Sequence, residues 1–162
     1  RLEKEISVLG REIIKELQEK NLKISFAESM TGGLLSSSLT NEENASKVFE
    51  LGIVAYSNRV KNKILDCKKT TLNNYGVYSN ETVREMLDGL KTKSNADILV
   101  GVSGVAGSSN DQGFKAGEVF IGISYKSLKE EKVEFSGNRQ NVRLNTVKYC
   151  FEKVLEIIKE EV

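Results

Sequence analysis

The chain has 162 residues, the length of one ordinary domain, enough to bury a real core without disulfides or metal. Its 24 basic and 23 acidic side chains nearly cancel and no segment gathers the Lys/Arg excess that a phosphate backbone demands, so a nucleic-acid partner is disfavoured. The absence of histidine removes serine-histidine triads and histidine-zinc hydrolases together, which leaves Lys, Tyr, Asp or Glu as any general base.

Cys67 and Cys150 lack a C-x-x-C spacing and read as reduced, packed thiols, with neither a disulfide framework nor a thiolate zinc site. No apolar stretch approaches the length of a membrane span, and the opening Arg1-Leu2-Glu3-Lys4-Glu5 lacks the apolar segment of a signal peptide. A cytoplasmic protein with no membrane partner is expected.

Leu2, Ile6, Leu9, Ile13 and Leu17 recur at helical spacing and predict an amphipathic helix that ends near Asn21. A strand over Leu22 to Ala27 follows, then Gly32 and Gly33, then a helix opening over Leu34 to Leu39. Leu51 to Ser57 reads as a strand and Val60 to Leu65 as the start of a short helix. Ser79 can cap a helix that runs to about Lys93 with Val83, Met86, Leu87 and Leu90 on its buried face. Asp97 to Ser103 is the most strand-like run, apolar enough to be covered on both faces. Gly104 to Gly117 is glycine-rich and polar, Glu118 to Tyr125 and Glu131 to Phe135 form a strand pair, and Val142 to Ile158 closes the chain as a long helix. Alternation without a Pro-rich or Ser-rich linker predicts a single domain over residues 1–162, a three-layer α/β/α sandwich on a mixed, mostly parallel sheet.

In such sheets ligands bind beyond the carboxyl ends of the strands, and three segments reach that edge: 27–33, 55–61 and 103–107. The first puts Ser29 at a strand end ahead of two glycines, where backbone amides can receive a phosphate or an oxyanion; an ordinary helix cap reads the same way. G-x-S-x-G is not matched, because Ala27 and Thr31 hold the glycine positions. Gly101, Gly104 and Gly107, three apart, fit neither a dinucleotide fingerprint nor a Walker loop, and describe either a plain turn or a loop that lets Ser103 approach a ligand. Arg139 and Arg143, four apart, could grip a phosphate or simply face solvent, and Lys61 has the same ambiguity.

Taken in order, the segments Ala27 to Gly33, Val54 to Lys61, Gly76 to Ser79, Ser103 to Gly107 and Phe135 to Arg139 resemble the CinA C-terminal domain family, the nicotinamide-nucleotide amidohydrolases. The family pattern is A-E-S-C-T-G-G, V-x-Y-S-N-x-x-K, G-x-V-S, [ST]-G-I-A-G-P and F-x-G-x-R, and the likeness covers nearly the whole chain. The resemblance implies Ser29 as nucleophile, Lys61 as its base and Tyr56 as an assisting group, with Ser103, Gly104 and Arg139 in the nucleotide pocket. It implies a metal-free, cofactor-free enzyme, usually a homo-oligomer (dimer or higher), that cuts the carboxamide of nicotinamide mononucleotide to give nicotinate mononucleotide and ammonia. The amides of Thr31, Gly32 and Gly33 are then the natural oxyanion donors.

Without histidine, a neutral lysine in a desolvated pocket is a workable base, provided its pKa falls from about 10.4 to about 7 or 8. Three departures from the pattern bear on this expectation. Met30 replaces the cysteine beside the nucleophile, residues 108–113 replace the proline and paired glycines, and Glu118 stands where a small or hydroxylated residue is usual and would repel a phosphate. The altered loop makes a catalytically silent nucleotide-binding module, or an amidase for another small amide, the alternatives.

Overall fold

In the computed structural model, which describes residues 1–107 and 116–160, five strands form one sheet in the order β2-β1-β3-β4-β5. The strands are β1 (Ile24–Glu28), β2 (Phe49–Val54), β3 (Ile98–Gly104), β4 (Glu118–Tyr125) and β5 (Ser127–Glu134). β1 pairs in parallel with both β2 and β3, whereas β3 with β4 and β4 with β5 pair antiparallel, so β4 alone runs against the others. The sheet is mixed, as the strand pair after Gly117 predicts.

Among the described residues, six α-helices cover it: α1 (Leu2–Lys20), α2 (Leu34–Thr40), α3 (Asn58–Leu65), α4 (Lys69–Tyr75), α5 (Asn80–Lys93) and α6 (Arg139–Lys159). One core joins Ile13 and Leu17 of α1, Leu35 and Leu39 of α2, and Val147, Phe151 and Val154 of α6 to Phe26, Val100 and Ile121 of the sheet. A second core, on the opposite face, joins Leu65 of α3, Leu72 of α4, and Val83, Met86 and Leu90 of α5 to Ala27, Leu99 and Phe120. The architecture is therefore three-layered, α/β/α. Because helices close both faces, every residue of β1 and β3 is buried, while β2 at the sheet edge alternates between half-buried and exposed.

Several boundaries differ from those the sequence predicts, each for a local reason. The sequence pattern does not predict α4: its Thr- and Asn-rich turns have weak helix propensity, and burial of Thr71 together with packing of Leu72 in the second core sustains it. α6 begins at Arg139 rather than Val142, since the Asn138 side chain accepts from the Asn141 amide and caps the helix there. β5 begins at Ser127 rather than Glu131, because Lys126 at φ 65 turns the chain tightly enough for Tyr125 to pair with Ser127. Its charged Lys-Glu-Glu-Lys stretch suits an exposed edge and hides the strand from a hydrophobic pattern.

Candidate active site

The strand order places the carboxyl ends of β1, β2 and β3 side by side, and the chain leaves β1 at Glu28 and Ser29. Strand alternation sends these neighbours to opposite faces. The Glu28 side chain turns towards α2, and that of Ser29 towards α3 on the other layer. There Lys61 Nζ lies 2.9 Å from Ser29 Oγ, with the Tyr56 carbonyl 3.5 Å from the same nitrogen. Lys61 is only 1% exposed and Ser29 3%.

The burial of Lys61 follows from the geometry of α3. Ser57 caps the helix by accepting from the Val60 amide, and Lys61 sits four residues before Leu65; these two are the buried positions of α3. A lysine thus occupies a position on the helix stripe that ordinarily holds an aliphatic side chain. Desolvation lowers its pKa from 10.5 to about 8, with no neighbouring cation contributing; an ionised Cys67 would act in the opposite direction. Burial pushes the Cys67 thiol up to about 12, so that thiol is neutral near pH 7 and inert as a nucleophile.

Glu28 organises the turn that follows. Its side chain is wholly buried and accepts from the Gly33, Leu35 and Ser36 amides and from the Thr31 and Ser36 hydroxyls, at 2.7 to 3.2 Å. This is a carboxylate held in the amide-rich start of a helix, where the backbone dipoles favour negative charge. Gly32 at φ 60 and Gly33 at φ 102 make the tight turn, a conformation costly for any other residue here. The Gly32 amide donates to the Ser29 carbonyl, and the Leu34 amide to the Thr31 carbonyl. From residue 30 to residue 36, only the amides of Met30 and Thr31 have no acceptor among the described residues. The Gly32 and Gly33 amides, expected as oxyanion donors, are engaged internally, and the free pair lies one residue closer to Ser29.

A cleft of about 470 Å³ opens over this turn, lined among others by Ser29, Tyr56, Lys61, Tyr78, Gly104 and Arg139. Tyr56 is 63% exposed, and its backbone carbonyl accepts from Lys61. Ser103 is fully buried and donates to the Val77 carbonyl at 2.8 Å, which ties β3 to the loop before α5 instead of facing the cleft. Gly104 borders the cleft, and a Cβ there would lie 2.5 Å from the Glu118 carbonyl, so glycine is required for β3 to reach β4 at this point.

The two arginines of α6 do different things. Arg139 is exposed at the cleft beside Gly107, while Arg143 turns inwards and donates to the Thr31 carbonyl at 2.7 Å. A joint grip on one phosphate is not what the geometry presents. Glu118, expected to oppose a phosphate, is instead matched to Lys132 at 3.4 Å and is absent from the cleft lining. Residues 108–113 lie outside the described residues. Met30, Asn58 and Tyr78 also line the cleft; they belong to the motif blocks, yet their side chains carry no pattern by which spacing alone would single them out.

Among the described residues no group of three or more Cys, Asp or Glu side chains could hold a metal ion, and no helix is long and apolar enough to cross a membrane.

These observations define a class: a three-layer α/β fold with a buried serine-lysine pair in a cleft at the ends of its parallel strands. The chain belongs to the CinA C-terminal domain family, whose model matches residues 7–158. It is 38% identical over 154 residues to a putative competence-damage inducible protein of Bacillus subtilis strain 168, covering 92% of this chain and 37% of the relative. It is 40% identical over 149 residues to a CinA-like protein of Thermotoga neapolitana, covering 91% of this chain and 36% of the relative. The chain thus spans little more than a third of the length of these relatives. A crystal structure of a competence or damage-inducible protein from Enterobacter asburiae superposes with a TM-score of 0.91 at 30% identity, covering 94% of this chain and 98% of that one. A CinA superfamily protein from Klebsiella pneumoniae superposes with a TM-score of 0.93 at 25% identity, covering 96% and 98%.

Proposed function

We propose that the protein hydrolyses the carboxamide of nicotinamide mononucleotide, releasing ammonia and nicotinate mononucleotide, with Ser29 as nucleophile and Lys61 as base. The carrying observation is the 2.9 Å contact between Ser29 Oγ and the nitrogen of a lysine that is buried on its helix. An amide needs an activated hydroxyl, and a lysine with its pKa lowered to about 8 is in part neutral, and so able to take the Ser29 proton, near pH 7.

In this reading Ser29 Oγ attacks the carboxamide carbon as its proton passes to Lys61. The carbonyl oxygen gathers negative charge against the Met30 amide, the donor next to Ser29 that the turn leaves unused and whose residue borders the cleft. Lys61 returns the proton to the nitrogen, ammonia departs, and an ester joins substrate to Ser29. Water, deprotonated by the same lysine, then hydrolyses the ester. Arg139 at the cleft mouth, on the first turn of α6, is suited to the 5′-phosphate. The choice of a nicotinamide nucleotide as substrate rests on the family resemblance that the motif blocks carry.

Incubation with nicotinamide mononucleotide and measurement of ammonia tests the reading directly. Stoichiometric release of ammonia and nicotinate mononucleotide by the wild type, lost in Ser29→Ala, is expected. Tight nucleotide binding without ammonia release would replace the enzyme with a silent binding module. Release of ammonia only from other small amides would replace the substrate.

A further inference from the structure

Beyond its buried serine-lysine pair, the turn after Ser29 contains a series of hydrogen-bonded peptide groups that begins at a side chain of a distant helix. Arg143 of α6 donates to the Thr31 carbonyl at 2.7 Å across 112 residues of sequence. The peptide that carries this carbonyl also carries the Gly32 N–H, which donates to the Ser29 carbonyl at 2.9 Å. The peptide carrying the Ser29 carbonyl in turn carries the Met30 N–H, which has no acceptor among the described residues, and Met30 borders the cleft.

We propose that Arg143 is a positioning residue of the hydrolysis: its guanidinium, bound to the Thr31 carbonyl, polarises two successive peptide groups and so strengthens the Met30 amide as the oxyanion donor. The inference rests on the amide-hydrolysis reading of the site. Its physical basis is peptide resonance, since drawing electron density to a carbonyl oxygen makes the N–H of the same peptide a better donor. Hydrogen bonds in series reinforce one another in this way, by about 10 to 30% per bond, and a charged first donor strengthens the effect. Arg143 is half-buried, so water screens it less than an exposed cation. The Glu28 carboxylate occupies amides further along the turn, so the series ends at the amide of Met30, the residue that follows the nucleophile and borders the cleft.

The test compares wild type, Arg143→Met, Arg143→Gln and Arg143→Lys by three measurements. These are the rate at which a fluorophosphonate probe labels Ser29, the kcat and KM for nicotinamide mononucleotide, and the proton chemical shifts of the Met30 and Gly33 amides. Arg143→Met is expected to slow both labelling and kcat about two- to eightfold, less than the loss of a whole oxyanion donor, with KM within about twofold of wild type. The Met30 amide proton should move upfield while that of Gly33, bound to Glu28, stays. Arg143→Lys, which keeps the charge, should retain more rate than Arg143→Gln, which keeps only a neutral donor. Labelling of Arg143→Met at the wild-type rate, the reverse order of Lys and Gln, or a Met30 shift no larger than that of Gly33 would each overturn the relay and leave Arg143 a brace. A wild type that labels at Ser29 but releases no ammonia removes the proposed substrate and leaves the comparison of variants standing; a wild type that takes no label overturns both.

Discussion

Lys61 Nζ stands 2.9 Å from Ser29 Oγ although the two residues lie on different elements, one at the end of β1 and the other in the middle of α3. If they act as a unit, Ser29→Ala and Lys61→Met should each abolish ammonia release, and the double variant should be no slower than either single one, because losses within one catalytic unit do not add. Circular dichroism and thermal melting should show an intact fold for Ser29→Ala, which loses only a hydroxyl. A double variant far slower than both singles would count against the pair.

If Lys61 is the base, its lowered pKa sets the pH dependence of activity. Only the neutral amine accepts the Ser29 proton, so kcat/KM should rise with pH along a one-proton limb centred at about 8 and level off above it. A rate that is flat from pH 6 to 9, with Ser29 still essential, would remove lysine as the base.

The same burial costs stability, and the sign follows from where the proton binds. Between about 8 and 10.5 the unfolded chain holds a proton on Lys61 that the folded chain does not, so stability rises with pH across that window, and below it the cost is complete. The gap corresponds to about 3 kcal/mol. Lys61→Met should therefore be inactive yet more stable than wild type at pH 7, by up to that amount. Urea unfolding at pH 7 and pH 10.5 tests this, since the advantage should shrink at the higher pH.

Much of the architecture was legible before the structure, because amphipathic spacing in α1 and α5 and the continuous apolar run of β3 each have one physical explanation. The site was legible in part, and the reason lies in particular residues. Lys61 looks like a surface lysine, flanked by Val60 and Asn62, until its spacing from Leu65 is read as a buried stripe. The residues that wire the turn were not legible. Glu28 ends an apolar strand with nothing local to say that its carboxylate folds back onto α2, and Arg143 reaches Thr31 only through tertiary packing. The unengaged amides are accordingly those of Met30 and Thr31, whereas the sequence points to residues 31–33.

Glu28→Gln tests that wiring. An amide in place of the carboxylate must present an NH2 group to donors that now point at oxygen, leaving at least one buried N–H or O–H unpaired. The expected cost is about 2 to 3 kcal/mol, a fall of roughly 5 to 10 °C in Tm, with kcat reduced because the turn that carries Met30 loosens. Calorimetry reads the first effect and ammonia release the second. An unchanged Tm would mean that the five contacts are not a stabilising unit.

Arg139 and Glu118 provide a paired test of where the phosphate lies. Arg139 is exposed at the mouth of the cleft, where water and salt weaken a charged contact, so Arg139→Ala should raise KM for the nucleotide about tenfold rather than more, and leave KM for the corresponding nucleoside nearly unchanged. The effect should shrink further as salt is added. Glu118→Gln should behave differently from the expectation that the sequence raises. Its carboxylate is matched by Lys132 and lies off the cleft lining, so removing it relieves no repulsion on a phosphate, and KM for the nucleotide should change by less than about twofold. Equal losses for nucleotide and nucleoside in Arg139→Ala would place the phosphate elsewhere. Tightening of the nucleotide in Glu118→Gln would return the carboxylate to the pocket, with Lys132 as an insufficient partner.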